Sequence, residues 1–251
     1  MASNKVALIT GCGKKRVGYH IAEALAKRGY SIVVHYHSSE EDARDTAAYF
    51  ERSYSVETLV FQADLADEAA VTRMVTASYE RFGQVDLLVN AAAIWKRKKL
   101  EETTAADVRE HFDTNTLGTF LPTQQIGLRM TKQPNGGLIV MIGDWAEARP
   151  YLDYAAYFPS KGAVSTLTRV MAVELGTRNP KVRVNAILPG PVMLPDDMPN
   201  SEKEEVIAAT LVKREGTPQH VAMAVLSFLD NDFITGACLP VDGGRTIYAA
   251  D

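Results

Sequence analysis

The sequence predicts an α/β fold: a doubly wound, parallel, seven-stranded sheet with helices on both faces. Two observations predict it. Short apolar runs rich in β-branched residues recur along the chain, and the segments between them carry apolar residues at helical spacing. Strands that alternate with helices form parallel sheets through right-handed crossovers, most often doubly wound ones. No linker or low-complexity tract divides the 251 residues, so we expect residues 1–251 to form a single domain.

Seven apolar runs are the predicted strands. In chain order they are Val6–Thr10, Ser31–His37, Thr58–Gln62, Val85–Asn90, Leu138–Ile142, Val182–Leu188 and Cys238–Val241. Helical spacing follows the first run at once, because Val17, Ile21, Ala22, Leu25 and Ala26 share one helix face. Two longer helices are predicted at Ala105–Lys132 and Tyr154–Gly176. The alternation therefore continues through the chain, as repeated βαβ units require.

Charge and cysteine content exclude several classes of function. The chain has 27 Lys and Arg against 31 Asp and Glu, a net charge of −4. This charge gives no electrostatic case for nucleic acid or an anionic membrane as a partner. Two cysteines at positions 12 and 238 form neither a zinc pattern nor a disulfide framework, and no apolar run resembles a signal peptide or a membrane span. We expect a cytoplasmic protein without a metal.

A glycine-bearing turn joins the first strand to the first helix. It contains Gly11 and leads through Arg16 to Val17, where the helix begins. Backbone N–H groups and the helix dipole at such a junction bind phosphate, and glycine lets the backbone approach it closely. Glycine turns also join strands to helices without any ligand, so the motif alone is weak. Its place after the first strand of an α/β pattern favours a nucleotide cofactor.

The end of the second strand predicts which cofactor binds. Sites that prefer NAD place an acidic residue there for the ribose hydroxyls. Here His37, Ser38 and Ser39 follow the strand, and no acid occurs before Glu40. Hydroxyls, backbone amides and the nearby Arg16 would accept a 2′-phosphate that a carboxylate would repel. The prediction is NADP(H).

Further motifs carry a family resemblance. They are Thr10-Gly11, Ala63-Asp64-Leu65, Asn90-Ala91-Ala92-Ala93, Asn115, Tyr157-Phe158-Pro159-Ser160-Lys161, Pro189-Gly190-Pro191, Ile234-Thr235-Gly236 and Val241-Asp242-Gly243-Gly244. In this order the chain resembles the short-chain dehydrogenase/reductase family over nearly its whole length. The resemblance implies a Rossmann-type sheet, a nicotinamide cofactor, hydride transfer to a small-molecule substrate, and a homotetramer packed through the two long helices.

The glycine turn, the end of the second strand and the resemblance together predict the cofactor contacts. They are Gly11, Arg16, Val17, His37, Ser38, Ser39, Asp64, Leu65, Asn90, Ala91, Ala92, Tyr157, Lys161, Pro189, Gly190 and Val192.

Tyr157 and Lys161 are the predicted catalytic pair. They are four residues apart and project from one helix face. An ammonium beside a phenol stabilises the phenolate, so we expect the pKa of Tyr157 to be lowered towards neutrality. The resemblance implies that Lys161 also bonds the nicotinamide ribose and that Asn115 supports a water-linked proton path. The same spacing occurs on ordinary amphipathic surfaces, and the accompanying motifs favour catalysis.

Asp144 departs from the family pattern. Most members carry a serine thirteen positions before the tyrosine, where it donates a hydrogen bond to a substrate carbonyl; here that position is Asp144. An ionised carboxylate cannot donate. Ketone reduction is therefore disfavoured unless Asp144 is protonated, or Ser160 or a water substitutes. A carboxylate suits an aminopyrimidine-like donor edge or a ring nitrogen that needs a proton.

This substitution is similar to the pteridine reductase branch, which reduces a C=N bond of a pterin or dihydrofolate with NADPH. Arg16, His35-Tyr36-His37 and Leu194-Pro195-Asp196-Asp197-Met198-Pro199 extend the likeness. The predicted substrate contacts are Arg16, Ile94, Trp95, Asp144 and Tyr157. Three features depart from the branch: the glycine turn is one residue longer, Ile94 stands where an aromatic residue is expected, and Ala92 stands where a serine often contacts the ligand.

Two alternatives remain open. One is a carbonyl or 3-oxoacyl reductase in which Asp144 is tolerated. The other is a non-catalytic cofactor-binding protein on the same scaffold, which the missing serine suggests and which the presence of Tyr157, Lys161 and Asn115 opposes.

Overall fold

The computed structural model describes residues 5–248 and contains a parallel sheet of seven strands. The strands are β1 (Val6–Thr10), β2 (Ser31–Tyr36), β3 (Thr58–Gln62), β4 (Leu87–Asn90), β5 (Gly137–Ile142), β6 (Val182–Pro189) and β7 (Cys238–Val241). Their order across the sheet is β3-β2-β1-β4-β5-β6-β7, and every neighbouring pair is parallel. The predicted doubly wound sheet is confirmed.

Eight α-helices connect the strands of the described chain. They are α1 (Val17–Ala26), α2 (Glu40–Tyr54), α3 (Glu68–Phe82), α4 (Ala105–His111), α5 (Gly118–Met130), α6 (Tyr157–Gly176), α7 (Asn200–Ala208) and α8 (Pro218–Asp230). Shorter turns include a π-helical segment at Phe112–Leu117 and a 3₁₀ turn at Trp145–Glu147. Among residues 5–248, no helix combines the length and the apolar character needed to cross a membrane.

Helices cover both faces of the sheet, which explains why the strands are apolar along their whole length. All five residues of β1 are buried. Ala7 and Ile9 pack in a core with α1, α2 and α8, whereas Val6 and Leu8 pack in a second core with α3, α5 and α6. Alternate residues of a strand point to opposite faces, so a strand between two helix layers must be apolar at every position.

The helix predicted at Ala105–Lys132 is wrong in one respect, because the π-helical segment divides it into α4 and α5. This wider turn contains the buried Asn115, whose side chain bonds the backbone of Ile94 and the hydroxyl of Ser160. The other long helix begins at Tyr157 and not at Tyr154, whose carbonyl accepts hydrogen bonds from the first backbone N–H groups of α6. The predicted limits of β1, β3 and β7 are confirmed, and those of the other four strands differ from the prediction by one or two residues.

Candidate active site

A large cleft lies where the loops after β1, β4, β5 and β6 converge. The order of the strands reverses between β1 and β4, and ligands of open α/β sheets bind outside the carboxyl ends of the strands at such a point. The cleft has a volume of about 1280 Å³. Sites for single drug-sized ligands occupy about 300–1,000 Å³, so this cleft has room for a dinucleotide and a substrate together.

The glycine turn is packed tightly against the loop after β4. Gly11 has φ +67°, and a Cβ atom added there would lie 2.8 Å from Ala92 Cα. A Cβ on Gly18 would lie 2.9 Å from the carbonyl oxygen of Gly11. The N-cap residue of α1, Arg16, makes no side-chain cap, so the first N–H groups of the helix remain available to an anion. This cradle fits the phosphates of a nicotinamide dinucleotide.

His35 fastens the glycine turn to its neighbours. Its Nδ1 accepts a hydrogen bond from Gly11 N, and its Nε2 donates to the carbonyl oxygen of Ala63, both at 3.0 Å. Burial lowers the pKa of His35 to about 4, so the imidazole is neutral near pH 7 and the two bonds define its tautomer. One side chain thus joins the ends of β1, β2 and β3.

No acidic residue stands between the end of β2 and the start of α2 at Glu40. His37 is exposed and lines the cleft, while Ser38 and Ser39 lie beside it without lining the described part of the cleft. Glu40, the first acid after the strand, is bonded by the Arg44 guanidinium, with Nη2 2.6 Å from Oε1. The guanidinium of Arg16 lies exposed at the cleft and has no hydrogen bond or ion pair within residues 5–248. Arg16 is therefore free to bind an anion.

Most of the other predicted cofactor contacts also line the cleft. These are Gly11, Val17, Asp64, Leu65, Ala91, Ala92, Tyr157, Lys161, Pro189, Gly190 and Val192. Asn90 does not line the described cleft: it is buried, and its Nδ2 donates to Thr123 Oγ1. The backbone N–H groups of Ala91 and Ala92 donate to Thr10 Oγ1, which holds this loop against the end of β1.

Asp144, Tyr157 and Lys161 meet in the cleft between the end of β5 and the start of α6. Tyr157 Oη donates to Asp144 Oδ2 at 2.8 Å. The other carboxylate oxygen of Asp144 accepts from Ala146 N at 2.8 Å and so caps the 3₁₀ turn Trp145–Glu147. Lys161 Nζ donates to the carbonyl oxygen of Ile142 at 2.7 Å. Three of the four predicted catalytic side chains thus lie together in an otherwise buried corner, and the fourth, Asn115, does not line the cleft.

Burial dominates the titration of this group. It raises the pKa of Asp144, although hydrogen bonds from Ala146 and Tyr157 and the Lys161 ammonium oppose the shift. It lowers the pKa of Lys161 to about 8 against the attraction of Asp144 and Glu147. Burial and the adjacent Asp144 carboxylate raise the pKa of Tyr157 well above its ordinary value. The expected lowering of the Tyr157 pKa is therefore wrong for the protein alone, because burial disfavours the phenolate and the nearest charge to the phenol is negative.

Asn115 lies behind the cleft and holds the loop that contains Ile94. Its Oδ1 accepts from Ile94 N at 2.8 Å, and its Nδ2 donates to the carbonyl oxygen of Ile94 and to Ser160 Oγ, both at 3.0 Å. Ser160 is fully buried and donates to the carbonyl oxygen of Tyr157. It does not line the cleft, so it does not replace the missing catalytic hydroxyl.

Aromatic side chains line one wall of the cleft. Ile94 and Trp95, two of the predicted substrate contacts, also line the cleft, and the Trp95 ring stacks on Tyr154 with centroids 5.0 Å apart and planes at 10°. The sequence did not single out Trp145, Tyr151 or Tyr154, which also line the cleft. Only the loop after β5 brings these three to the site, and no local motif marks it. Among the described residues, no cluster of His, Cys, Asp or Glu could hold a metal ion.

The chain is similar to known proteins over nearly its whole length. A family model described as enoyl-(acyl carrier protein) reductase matches residues 11–246. Pteridine reductase 1 of Leishmania tarentolae is 31% identical over 98% of this chain and 97% of its own length. Levodione reductase of Leifsonia aquatica is 32% identical over 97% of this chain and 95% of its own. The crystal structure of acetoin dehydrogenase from Enterobacter cloacae shares 31% identity, covers 100% of this chain and 99% of its own, and has a TM-score of 0.88.

Proposed function

Because this chain belongs to the short-chain dehydrogenase/reductase family, it is an oxidoreductase with a nicotinamide cofactor, and we propose that it reduces a pterin-like or dihydrofolate-like heterocycle with NADPH. The observation that carries the proposal is the hydrogen bond from Tyr157 Oη to Asp144 Oδ2. It places a carboxylate beside the proton-donating tyrosine, where a hydroxyl donor would serve a ketone. The relative named pteridine reductase supports the same substrate class.

Charge around β2 supports a preference for NADPH. The unpaired Arg16 guanidinium supplies a charge-assisted contact to a 2′-phosphate, and Ser38 and Ser39 offer hydroxyl and backbone donors nearby. Arg44 bonds the nearest carboxylate, Glu40, and Lys14 lies 3.8 Å from Asp42. The acids at the start of α2 are thereby partly neutralised, which reduces their repulsion of a phosphate.

The chemistry proposed for the site divides between the cofactor and three side chains. When bound, the reduced nicotinamide supplies a hydride. Asp144 accepts hydrogen bonds from the N–H groups of an amidine-like substrate edge, and so orients the ring. Tyr157 Oη is the group that provides a proton to the ring nitrogen next to the reduced carbon. Lys161, one helical turn away on the same face, stabilises the phenolate that remains and has further N–H donors for the ribose.

A second candidate function, reduction of a carbonyl compound, also has a specific observation in its favour. Burial raises the pKa of Asp144, and a protonated carboxyl group donates a hydrogen bond as a serine hydroxyl would. The name of levodione reductase agrees with a ketone substrate. A non-catalytic role is disfavoured because Asp144, Tyr157 and Lys161 all face the cleft.

We also propose that the protein forms a homotetramer and that it resides in the cytosol, a reducing compartment. Phe112, Leu117 and Val170 are between 36% and 49% exposed on the outer surface of the π-helical segment and α6, where they line an apolar groove of about 610 Å³. A second copy of the chain would cover this surface. The two cysteines are free thiols, which is compatible with a reducing compartment.

The test of the proposed function is NADPH oxidation with dihydrobiopterin, dihydrofolate and acetoacetyl thioesters as separate substrates. Tyr157→Phe is the matched control, because it keeps the ring and removes the proton. We expect turnover with a pterin or dihydrofolate and its loss in Tyr157→Phe. Turnover with the thioester alone would favour the second candidate function. Tight NADPH binding without turnover of any substrate in a broad panel would contradict both.

A further inference from the structure

Glu147 is a second carboxylate in the corner of Asp144, and the chemistry proposed above does not use it. It ends the 3₁₀ turn that Asp144 caps. Its Oε1 accepts a hydrogen bond from Ser165 Oγ, and its Oε2 is buried without a partner among residues 5–248. A buried carboxylate oxygen without a donor costs free energy unless a positive charge lies near it. The cation that meets this need is on α6.

Ser165 holds Glu147 against the helix that carries Lys161. Lys161 and Ser165 are four residues apart on α6, so their side chains share one helix face. Lys161 is only 5% exposed, and within residues 5–248 its ammonium has one hydrogen-bond partner, the carbonyl oxygen of Ile142. The acidic groups that act on this ammonium are Asp144 and Glu147. A buried ammonium with a neutral hydrogen-bond partner needs such a counter-charge to remain protonated.

Asp144 is already committed to other contacts. Its Oδ2 accepts from Tyr157 and its Oδ1 from Ala146, and a bound substrate would add donors of its own. The charged groups that act on Glu147 are Asp144, Arg169 and Lys161. Arg169 is exposed on α6 and its Nη1 lies 3.9 Å from Cys238 Sγ, so the buried cation of the set is Lys161.

We propose that Glu147 is a positioning residue whose carboxylate, held by Ser165, is the counter-charge that keeps the Lys161 ammonium protonated. Asp144 is then free to bind Tyr157 and the substrate. The inference rests on the proposed function, because it assigns Lys161 a part in catalysis. The direction of titration agrees, since Glu147 opposes the burial that lowers the pKa of Lys161 to about 8.

The test measures the titration of Lys161 in the protein without cofactor or substrate. Trace acetic anhydride labels lysines across a pH series, and mass spectrometry of the Lys161 peptide reports the midpoint. Glu147→Gln keeps the size of the side chain and an acceptor for Ser165 but removes the charge. We expect it to lower the midpoint by roughly 1 on the pH scale, the effect of one nearby opposite charge. The control Glu80→Gln removes an exposed charge on α3 and leaves the midpoint unchanged.

An unchanged midpoint in folded Glu147→Gln would overturn the proposal. Ser165→Ala frees the carboxylate from α6 and is expected to lower the midpoint by a smaller amount. If Glu147→Gln does not fold, an unchanged midpoint in Ser165→Ala decides against the proposal.

Activity gives a second readout: the basic limb of kcat against pH should move to lower pH with the Lys161 midpoint. Because the labelling needs no turnover, failure to reduce pterins would contradict the proposed function without altering the labelling result.

Discussion

Replacing Asp144 by serine separates the two roles that its carboxylate oxygens play. Serine is also a good N-cap residue, so the 3₁₀ turn capped by Oδ1 keeps its cap, and the stability change should stay within about 1 kcal/mol. The contact between Oδ2 and Tyr157, 2.8 Å long, is lost together with the negative charge. Any change in turnover therefore reports the carboxylate at Oδ2 and not unfolding.

The expected size of the effect follows from what a pterin-like ring would lose. One charge-assisted hydrogen bond is worth about 1.5–3 kcal/mol, roughly 10- to 150-fold, and a group that handles a proton about 100- to 10,000-fold. We expect kcat/KM for dihydrobiopterin, measured by NADPH oxidation, to fall by at least about 100-fold in Asp144→Ser. Asp144→Asn, which keeps the shape without the charge, separates the two contributions.

The same substitution distinguishes the two candidate substrates by the sign of its effect. A serine hydroxyl can donate to a developing oxyanion, a contact worth about 100- to 1,000-fold in kcat in known sites. If the substrate is a carbonyl compound bound beside ionised Asp144, Asp144→Ser should raise turnover of acetoacetyl thioesters. Undiminished dihydrobiopterin turnover in Asp144→Ser would refute the role assigned to the carboxylate.

Four further predictions concern the cofactor, the proton, the turn and the assembly. Arg16→Ala should weaken NADPH binding by about 1.5–3 kcal/mol and NADH binding much less, measured by fluorescence titration; equal affinities in the unmodified protein would contradict this. Tyr157→Phe should lower kcat by about 100- to 10,000-fold at unchanged NADPH affinity; unchanged kcat would place the proton elsewhere. Gly11→Ala should destabilise the protein by about 1–3 kcal/mol in urea unfolding, because φ is +67° and Ala92 blocks the new methyl group; full stability would show that the turn relaxes. Light scattering should report four chains; the mass of a single chain would refute the tetramer.

The strands were predictable because their burial is two-sided. A parallel strand between two helix layers is apolar throughout, and such runs stand out in β1, β4 and β5. The division of the helix at Asn115 was not predictable. Asn115 there bonds residues that lie 21 and 45 positions away in the chain, and no local periodicity encodes such contacts.

The site shows the same limit. The family resemblance predicted that Asp144 and Tyr157 both belong to the catalytic site, and the structure brings them into contact. The sequence did not show that Lys161 bonds Ile142, or that the phenol faces a carboxylate more closely than an ammonium. The sequence also did not show how deeply Tyr157 is buried. This burial raises the pKa of Tyr157, where a lowered pKa was expected. The sequence did not predict a role for Glu147, because its partner Ser165 lies on another element.

The hydrogen bonds of His35 determine where the cofactor preference of this protein can be redesigned. Any residue put in place of His35 must accept from Gly11 N and donate to Ala63 in a buried site, and few side chains can do both at that length. Positions 37 to 39 lie at or near the surface and carry no such bonds through their side chains. A library aimed at NADH use should therefore vary His37, Ser38 and Ser39 and leave His35 constant. Exchange of the whole His35–Ser39 segment would also remove the bond from Gly11 to His35. A change in cofactor specificity could then not be told apart from damage to the glycine turn.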